Sequence, residues 1–287
     1  MKKFDLVFLV TFQNLENIFN LIETIKLNSE LNLLTVLINQ SGNSISIFNS
    51  SCNSFVEISV DKNSLSFCRN VGVDYLLNSK IDFDYIMFPD DDTTFNNSFF
   101  DNFKSIVSLN RNYLLDVCIS GTSDLYISNS LTDGYSVTRK QYHIAMSVNM
   151  IISKIYFDSV HYFDEKLGVG ATYGSAEDTD YFLRMVNLSG NFIYTKQLCN
   201  FHPSPKNKYK NLNLMSLINR FINYGNGILF ALCKHNMFFA GFLVCIRAIG
   251  GCILSFLRLN FKLSIAYFIS FFFRCALMFK LLISKNV

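Results

Sequence analysis

The sequence predicts an α/β fold followed by an apolar, basic C-terminal segment of helices. Two observations in the first half carry the fold prediction: continuous apolar runs of strand length, and helical spacing of apolar residues between them. The third observation is a change of character near residue 207, beyond which the chain is apolar, basic and free of acidic residues. We therefore expect one large domain over 1–206 and a helical region over 207–287.

The first elements form a strand–helix–strand unit. Residues 6–12 are a continuous apolar run, typical of a strand buried on both faces. Residues 14–27 carry apolar side chains at helical spacing, and residues 33–39 repeat the strand pattern. Two strands joined in this way run parallel, with a right-handed crossover.

The same alternation continues along the chain. In chain order, the sequence predicts strand 55–60, helix 64–77, strand 85–88, helix 98–110, strand 114–120, helix 179–188 and strand 192–194. This succession indicates a Rossmann-like sheet, the type that binds nucleotides beyond the carboxyl ends of its strands.

Charge is distributed unevenly along the 287 residues. The stretch up to Asp180 holds 12 basic residues and all 22 acidic ones, whereas the rest holds 13 basic residues and no acidic one. A long apolar, basic segment without acids favours contact with an anionic membrane surface. Nucleic acid is not predicted as a partner, because its binding favours basic residues and exposed aromatics on a polar background.

The C-terminal region contains two apolar stretches, over 236–257 and 261–283, each long enough to span a bilayer. Arg247, Arg258 and Lys262 fall within about 60° of one another on a helical wheel. This basic stripe favours helices lying in the membrane plane over a spanning hairpin, because an Arg near mid-span is costly. Burial of the helices against a partner chain is the third alternative.

Cysteine usage indicates the compartment. The eight cysteines form no Cys-x-x-Cys pair, so neither a zinc ribbon nor a redox pair is predicted. Their apolar neighbours indicate buried free thiols in a reducing environment. With the C-terminal segment, this predicts the cytoplasmic face of the cell membrane, with peripheral, monotopic or anchored attachment.

Three consecutive carboxylates, Asp90, Asp91 and Asp92, follow the strand predicted at 85–88. Open α/β sheets bind their ligands at this end of a strand. Adjacent carboxylates repel each other, and a Mg²⁺ or Mn²⁺ ion relieves that repulsion while bridging to phosphates. The alternative interpretation is an Asp-rich surface turn that caps the next helix.

A second acidic group, Glu177, Asp178 and Asp180, stands at the start of a predicted helix. Compensation of the helix dipole explains acids there without any chemistry. The functional interpretation is a general base at Asp178 that faces the first acidic cluster and deprotonates a hydroxyl. Glu177 and Asp180 would then cap the helix or orient the acceptor.

Arg69 and His202 are weaker candidates when each is taken alone. The planar donor fork of Arg69, near a helix start, suits diphosphate oxygens, although a surface arginine is the alternative. The imidazole of His202 is able to complete a metal site built from carboxylates, although a lone histidine is usually structural.

Together and in this order, these segments resemble the glycosyltransferases of family 2, which are inverting nucleotide-sugar enzymes of the GT-A fold. The resemblance runs over residues 4–205. Its parts are the strand that ends in Thr11-Phe12, the turn that opens with Asn39, the ARNxG-like segment 65–72, the Asp-x-Asp segment 88–92 and the GxxED-like segment 174–184.

The resemblance implies a role for each of these residues. It implies Thr11, Phe12 and Asn39 at the nucleotide base, Asp90 at the ribose, Arg69 and Asp91 elsewhere in the nucleotide site, Asp92 and His202 at a Mn²⁺ or Mg²⁺ ion, and Asp178 as the catalytic base. Two departures stand out. Asn39-Gln40 occupies a turn where the family often has Asp, so the nucleotide base is not predicted, and Cys68 replaces the usual Ala.

The implied function is metal-dependent sugar transfer with inversion in bacterial surface-polysaccharide assembly. The donor would be a UDP-, GDP- or dTDP-sugar, and the acceptor a hydroxyl of a saccharide. That the saccharide is lipid-linked is inferred from the C-terminal segment alone. Two alternatives stay open: a polyprenyl-phosphate sugar synthase, and a non-catalytic membrane-bound scaffold with the same fold.

Overall fold

The fold is taken from a computed structural model, which describes residues 3–108, 110–127, 130–188, 190–204, 209 and 212–284. The chain divides into two compact units. The sheet unit comprises 1–63, 67–162 and 181–205, and the helical unit comprises 64–66, 163–180 and 206–287. The predicted domain boundary between 206 and 207 lies outside the described residues, so division at that point stays a prediction.

The sheet unit contains, within the described residues, an eight-stranded sheet in the order β3-β2-β1-β4-β7-β5-β8-β6. The strands are β1 Lys3–Phe12, β2 Leu33–Asn39, β3 Asn53–Ser59, β4 Asp82–Met87, β5 Asn112–Ile119, β6 Ser136–Val137, β7 Met150–Ser153 and β8 Phe192–His202. β7 runs antiparallel to β4 and β5, and β6 runs antiparallel to β8. The remaining pairs are parallel, which confirms the predicted α/β fold class.

The sequence predicts all but one of the α-helices in the described residues: Lys154–Val160 was not expected, and the amphipathic helix expected over 212–223 extends to Lys234. The described residues form eight α-helices. They are α1 Leu15–Ile25, α2 Leu65–Asn78, α3 Asn97–Ile106, α4 Lys154–Val160, α5 Glu177–Asn187, α6 Leu214–Lys234, α7 Phe238–Leu257 and α8 Phe261–Ser284. Asparagines begin α1 and α3: the side chain of Asn14 accepts from the N–H of Glu16 at 2.8 Å, and that of Asn96 from the N–H of Phe99 at 3.0 Å. Such caps satisfy backbone donors that the first turn leaves unpaired.

The core of the sheet unit contains alternate residues of β1 and the apolar sides of α1 and α3. Leu6, Phe8 and Val10 are buried here, and Phe8 stacks on Phe95 with ring centroids 4.8 Å apart. Full burial of each such side chain stabilises the fold by about 1.5–3 kcal/mol. β1 is therefore anchored in the core by its buried side chains.

The strand order positions a crevice. β1 pairs with β2 on one side and with β4 on the other, so the chain reverses its direction of winding between β1 and β4. The carboxyl ends of these strands are the topological switch point at which open α/β sheets bind ligands. Residues 90–92 follow β4 directly and therefore lie at this edge.

Gly72 of α2 provides close packing of that helix on β1. A Cβ at this position would lie 2.7 Å from Cδ1 of Leu9, which is itself fully buried. We expect Gly72→Ala to lower the free energy of unfolding by about 1–3 kcal/mol through overpacking. Urea denaturation measures this change.

The matched control is Gly250→Ala in α7. A Cβ there would meet nothing within 4 Å, so the substitution should raise the free energy of unfolding by up to about 1 kcal/mol through helix propensity. Equal stability of the two variants would contradict the packing role of Gly72.

The helical unit contains α6, α7 and α8. By length and composition, α7 and α8 are long and apolar enough to cross a membrane. Large apolar side chains are exposed along both helices, including Phe242, Ile253, Leu257, Phe268 and Phe272. Arg247, Arg258 and Lys262, which were predicted as a stripe on one helical wheel, are each exposed. They do not share one continuous helix, because α7 ends at Leu257 and α8 begins at Phe261. Arg274 is buried.

Candidate functional site

A short backbone pairing brings the acidic turn to the end of β8. The N–H of Thr93 donates to the carbonyl of Asp90 at 3.1 Å, which closes the turn. Thr94 and Phe201 then exchange two backbone hydrogen bonds of 2.9 Å as an antiparallel bridge. His202, next to Phe201, is thereby carried to the carboxylates.

Asp90, Asp92 and His202 form a cluster at this edge of the sheet. Oδ1 of Asp92 lies 3.2 Å from Nε2 of His202, and Oδ2 of Asp90 lies 3.8 Å from it. One ligand atom from each residue lies within 4.8 Å of the others. The ring of Tyr126 meets the imidazole edge to face, with centroids 4.8 Å apart.

These residues fit a divalent cation. Two carboxylate oxygens and one imidazole nitrogen are ligands that suit Mn²⁺. Oδ1 of Asp92 is buried, and its partner among the described residues is Nε2 of His202, 3.2 Å away. Asp90 and Asp92 are also close enough to repel each other, and a cation bound between them would relieve that repulsion.

The buried guanidinium of Arg69 binds Asp90. The guanidinium is 1% exposed and donates to Oδ1 of Asp90 at 3.2 Å and to Oγ of Ser147 at 2.9 Å. A buried arginine in this position orients a carboxylate and compensates its charge. Contact of Arg69 with a nucleotide stays a prediction.

Asp91 contacts α1. Its Oδ1 accepts from Nδ2 of Asn17, in the first turn of α1, at 3.4 Å. Burial, together with repulsion from Asp92, raises the pKa of Asp91 to about 6. Asp91 is therefore the member of the triplet turned toward α1, and its predicted role at a nucleotide is not tested.

The protonation of His202 gives a pH prediction for metal binding. Burial lowers the pKa of His202, but hydrogen bonds to Asp90 and Asp92 and the charge of Asp92 outweigh it and raise the pKa to about 10. The stabilisation from this imidazolium is fully present below pH of about 6.5 and is lost as pH rises through about 10. A metal ligand must be neutral, so Mn²⁺ affinity should rise about tenfold per pH unit from about pH 7 to 9.

Calorimetric titration of Mn²⁺ at several pH values measures this slope. His202→Ala should bind Mn²⁺ more weakly and with a flatter pH dependence. If His202→Ala kept both the affinity and the pH dependence of the wild-type protein, His202 would not be a ligand.

Thr11, Phe12 and Asn39 lie at the ends of β1 and β2, as predicted, but two of them have structural partners. The side chain of Phe12 is buried in the core, and its carbonyl accepts from the N–H of Gln40 at 2.9 Å. Nδ2 of Asn39 donates to Glu57 at 2.5 Å, and its Oδ1 accepts from the N–H of Ser41 at 2.8 Å. These two residues shape the turn, and their direct contact with a base stays a prediction.

The acids at the start of α5 differ in exposure. Glu177 and Asp180 are buried, whereas Asp178 is partly exposed. Oδ1 of Asp178 accepts from the N–H of Thr179 at 2.7 Å. Asp180 is fully buried and contacts Lys234 and His235 at the end of α6, so it does not orient an acceptor, which was one of its two expected roles. Asp178 is the member of the group that solvent reaches.

Three residues near the predicted site were not expected from the sequence. Ser147 contacts Arg69, Tyr126 packs on His202, and Glu57 holds Asn39. Each is brought in by the tertiary fold from an unremarkable local sequence, so no motif signals it.

No family model matches the sequence, and no curated protein sequence matches it. Solved structures match in fold. S. aureus TarS 1–349 has a TM-score of 0.53 at 11% identity, over 95% of this chain and 92% of that one. The same fragment in complex with UDP-GlcNAc has a TM-score of 0.51 at 9% identity, over 96% and 92% of the two chains.

A third match is the mannosyltransferase PcManGT from Pyrobaculum calidifontis, solved with GDP-Man and Mn²⁺. Its TM-score is 0.51 at 9% identity, over 94% of this chain and 86% of that one. At these identities the likeness concerns the fold. The chain therefore has a fold that is shared by structures holding UDP-GlcNAc, or GDP-Man with Mn²⁺.

Proposed function

We propose that the chain transfers a sugar from a nucleotide-sugar donor, with a divalent cation held by Asp90, Asp92 and His202. The observation that carries the proposal is this cluster at the switch point of a sheet whose fold is shared with nucleotide-sugar complexes. A cation bound there would neutralise the diphosphate of the donor and of the departing nucleoside diphosphate. Arg69 and Ser147 keep Asp90 in its orientation.

The chemistry proposed for this chain's own residues is a single displacement. Asp178 accepts the proton of an acceptor hydroxyl, whose oxygen attacks the anomeric carbon. The bond from that carbon to the nucleoside diphosphate breaks on the opposite side, which inverts the configuration. The partial exposure of Asp178, beside two buried acids, supports its assignment as the base.

Equilibrium binding tests the donor part of the proposal. UDP, GDP and dTDP are titrated against the full chain in detergent, with and without Mn²⁺. We expect one of the three to bind, with an affinity that depends on Mn²⁺. Absence of Mn²⁺-dependent binding for all three would contradict the proposal.

The acceptor is proposed to be a lipid-linked saccharide at the cytoplasmic face of the cell membrane, in surface-polysaccharide assembly. Large apolar side chains are exposed along both α7 and α8, and this supports the assignment. Soluble monomers rarely expose large contiguous apolar patches. The exposed basic side chains of Arg247, Arg258 and Lys262 would be attracted to the negative surface of that leaflet. The two helices are proposed to lie in the membrane plane.

Vesicle flotation tests the membrane part. Replacing Arg247, Arg258 and Lys262 with alanine should weaken binding to phosphatidylglycerol vesicles about a hundredfold, because each basic residue near the surface contributes about 1 kcal/mol. The control is the alanine triple of three exposed lysines in the sheet unit, Lys26, Lys62 and Lys140. Binding that is insensitive to both triples would favour spanning helices instead.

A further inference from the structure

A group of ionisable residues around the buried Asp180 joins the start of α5 to the end of α6 within the helical unit. Oδ1 of Asp180 lies 2.8 Å from Nζ of Lys234 and 2.9 Å from Nε2 of His235. Lys234 also pairs with Asp164 at 2.7 Å. Negative charge at the start of one helix and positive charge at the end of another also agree with both helix dipoles.

The contact between α6 and the segment before α5 continues along the helix. A Cβ at Gly227 would lie 2.5 Å from the carbonyl oxygen of Ser175, so only glycine permits this approach. Oγ of Ser175 donates to the carbonyl of Tyr224 at 3.1 Å. The rings of Tyr173 and Phe230 stack with centroids 4.1 Å apart. The segment is therefore fixed to α6 at several points.

Buried polar contacts join α8 to both α7 and α6. The guanidinium of Arg274, in α8, donates to the carbonyl of Val244, in α7, at 2.9 Å. Ser270 donates to the carbonyl of Phe221, in α6, at 2.8 Å. Because these partners are buried, the three helices and the 164–180 segment share one packed arrangement.

We infer that Asp180, Lys234 and His235 are positioning residues that hold the first turn of α5, and with it Asp178, in its working orientation. The inference rests on the proposed function. Asp178 lies two positions before Asp180 in the same helical turn, so a movement of the buried carboxylate displaces the exposed one. The C-terminal helices thus form part of the structure that supports the base, beyond any contact with a membrane.

The experiment uses the full chain with four substitutions: Asp180→Asn, Lys234→Met, the conservative Lys234→Arg, and Lys26→Met as the control. Lys26 forms an exposed ion pair with Glu23, and such pairs contribute little to stability. Lys26→Met therefore removes the same charge as Lys234→Met at a position where no effect on transfer is expected. The measured quantities are kcat for transfer, KM for the donor, and Mn²⁺ affinity. Mn²⁺ affinity shows whether the metal cluster of the sheet unit is intact in each variant.

We expect Asp180→Asn and Lys234→Met to lower kcat about tenfold to a hundredfold, as expected for misplacement of a catalytic group. Donor KM and Mn²⁺ affinity should stay within about twofold, and Lys234→Arg and Lys26→Met should retain most of kcat. If Asp180→Asn loses Mn²⁺ affinity because it misfolds, the inference is tested by the kcat of Lys234→Met alone. An unchanged kcat in Lys234→Met overturns the inference, whereas a wild-type chain without transfer overturns the proposed function itself.

Discussion

Asp92→Ala should abolish Mn²⁺ binding and lower sugar transfer about a thousandfold. Asp92 supplies a buried carboxylate oxygen that lies 3.2 Å from Nε2 of His202. Removing it leaves only Asp90 and His202 as ligands, and loss of the cation removes about 4 kcal/mol of charge stabilisation in the transition state. Calorimetry with Mn²⁺ and a transfer assay on the same preparation measure both effects.

The matched control is Asp101→Ala on the exposed side of α3, which removes the same charge away from the cluster. It should bind Mn²⁺ as the wild-type chain does. If Asp92→Ala retained both Mn²⁺ affinity and transfer, Asp92 would not be a ligand, and the acidic triplet would be only an Asp-rich surface turn.

Asp178→Asn should lower transfer to a hydroxyl acceptor by about 10²–10⁴-fold, the usual contribution of a general base. The amide is close in size to the carboxylate and is still able to accept from the N–H of Thr179, so the start of α5 should keep its shape. Mn²⁺ affinity and donor KM should therefore stay near the wild-type values, and the loss should fall on kcat.

Asp61→Asn, at an exposed position of the sheet unit, is the control for the change in charge. The outcome for Asp178→Asn also separates two classes of acceptor. A phosphate acceptor hardly needs a base, so full activity in this variant would argue for a polyprenyl-phosphate sugar synthase.

The parallel strands β1 and β2 are predictable because each is a continuous apolar run bounded by a polar turn, and β3 is predictable from its alternating pattern. β2 is predicted at 33–39 and has the same bounds in the structure, and β1 extends the prediction by three residues at its start. The position of the crevice is also predictable from the order of elements, because the crevice lies at the carboxyl end of β4. The meeting of His202 with Asp92 is expected from the family resemblance, not from periodicity.

The other half of the sheet is less predictable, for two physical reasons. The strand expected at 192–194 continues to His202, but Lys196 and Gln197 interrupt its apolar pattern where its register with β5 shifts. β7 has only four residues, and its place between β4 and β5 depends on its partners more than on its own sequence.

The support of the candidate site could not be predicted at all. Arg69 meets Ser147, and Asp180 meets Lys234 and His235, across long separations in the chain. Local patterns carry no information on such pairs. For Asp180, the acids at the helix start point to capping, whereas burial against Lys234 and His235 is a tertiary effect.

Turnover of nucleotide sugars tests the central claim most directly. The full chain in detergent with Mn²⁺ is given a panel of UDP-, GDP- and dTDP-sugars, beside Asp92→Ala and Asp178→Asn. We expect one donor to be consumed by the wild-type chain and by neither variant. If no donor is bound or consumed, the acidic groups are only turns and caps, and a non-catalytic scaffold becomes the better account.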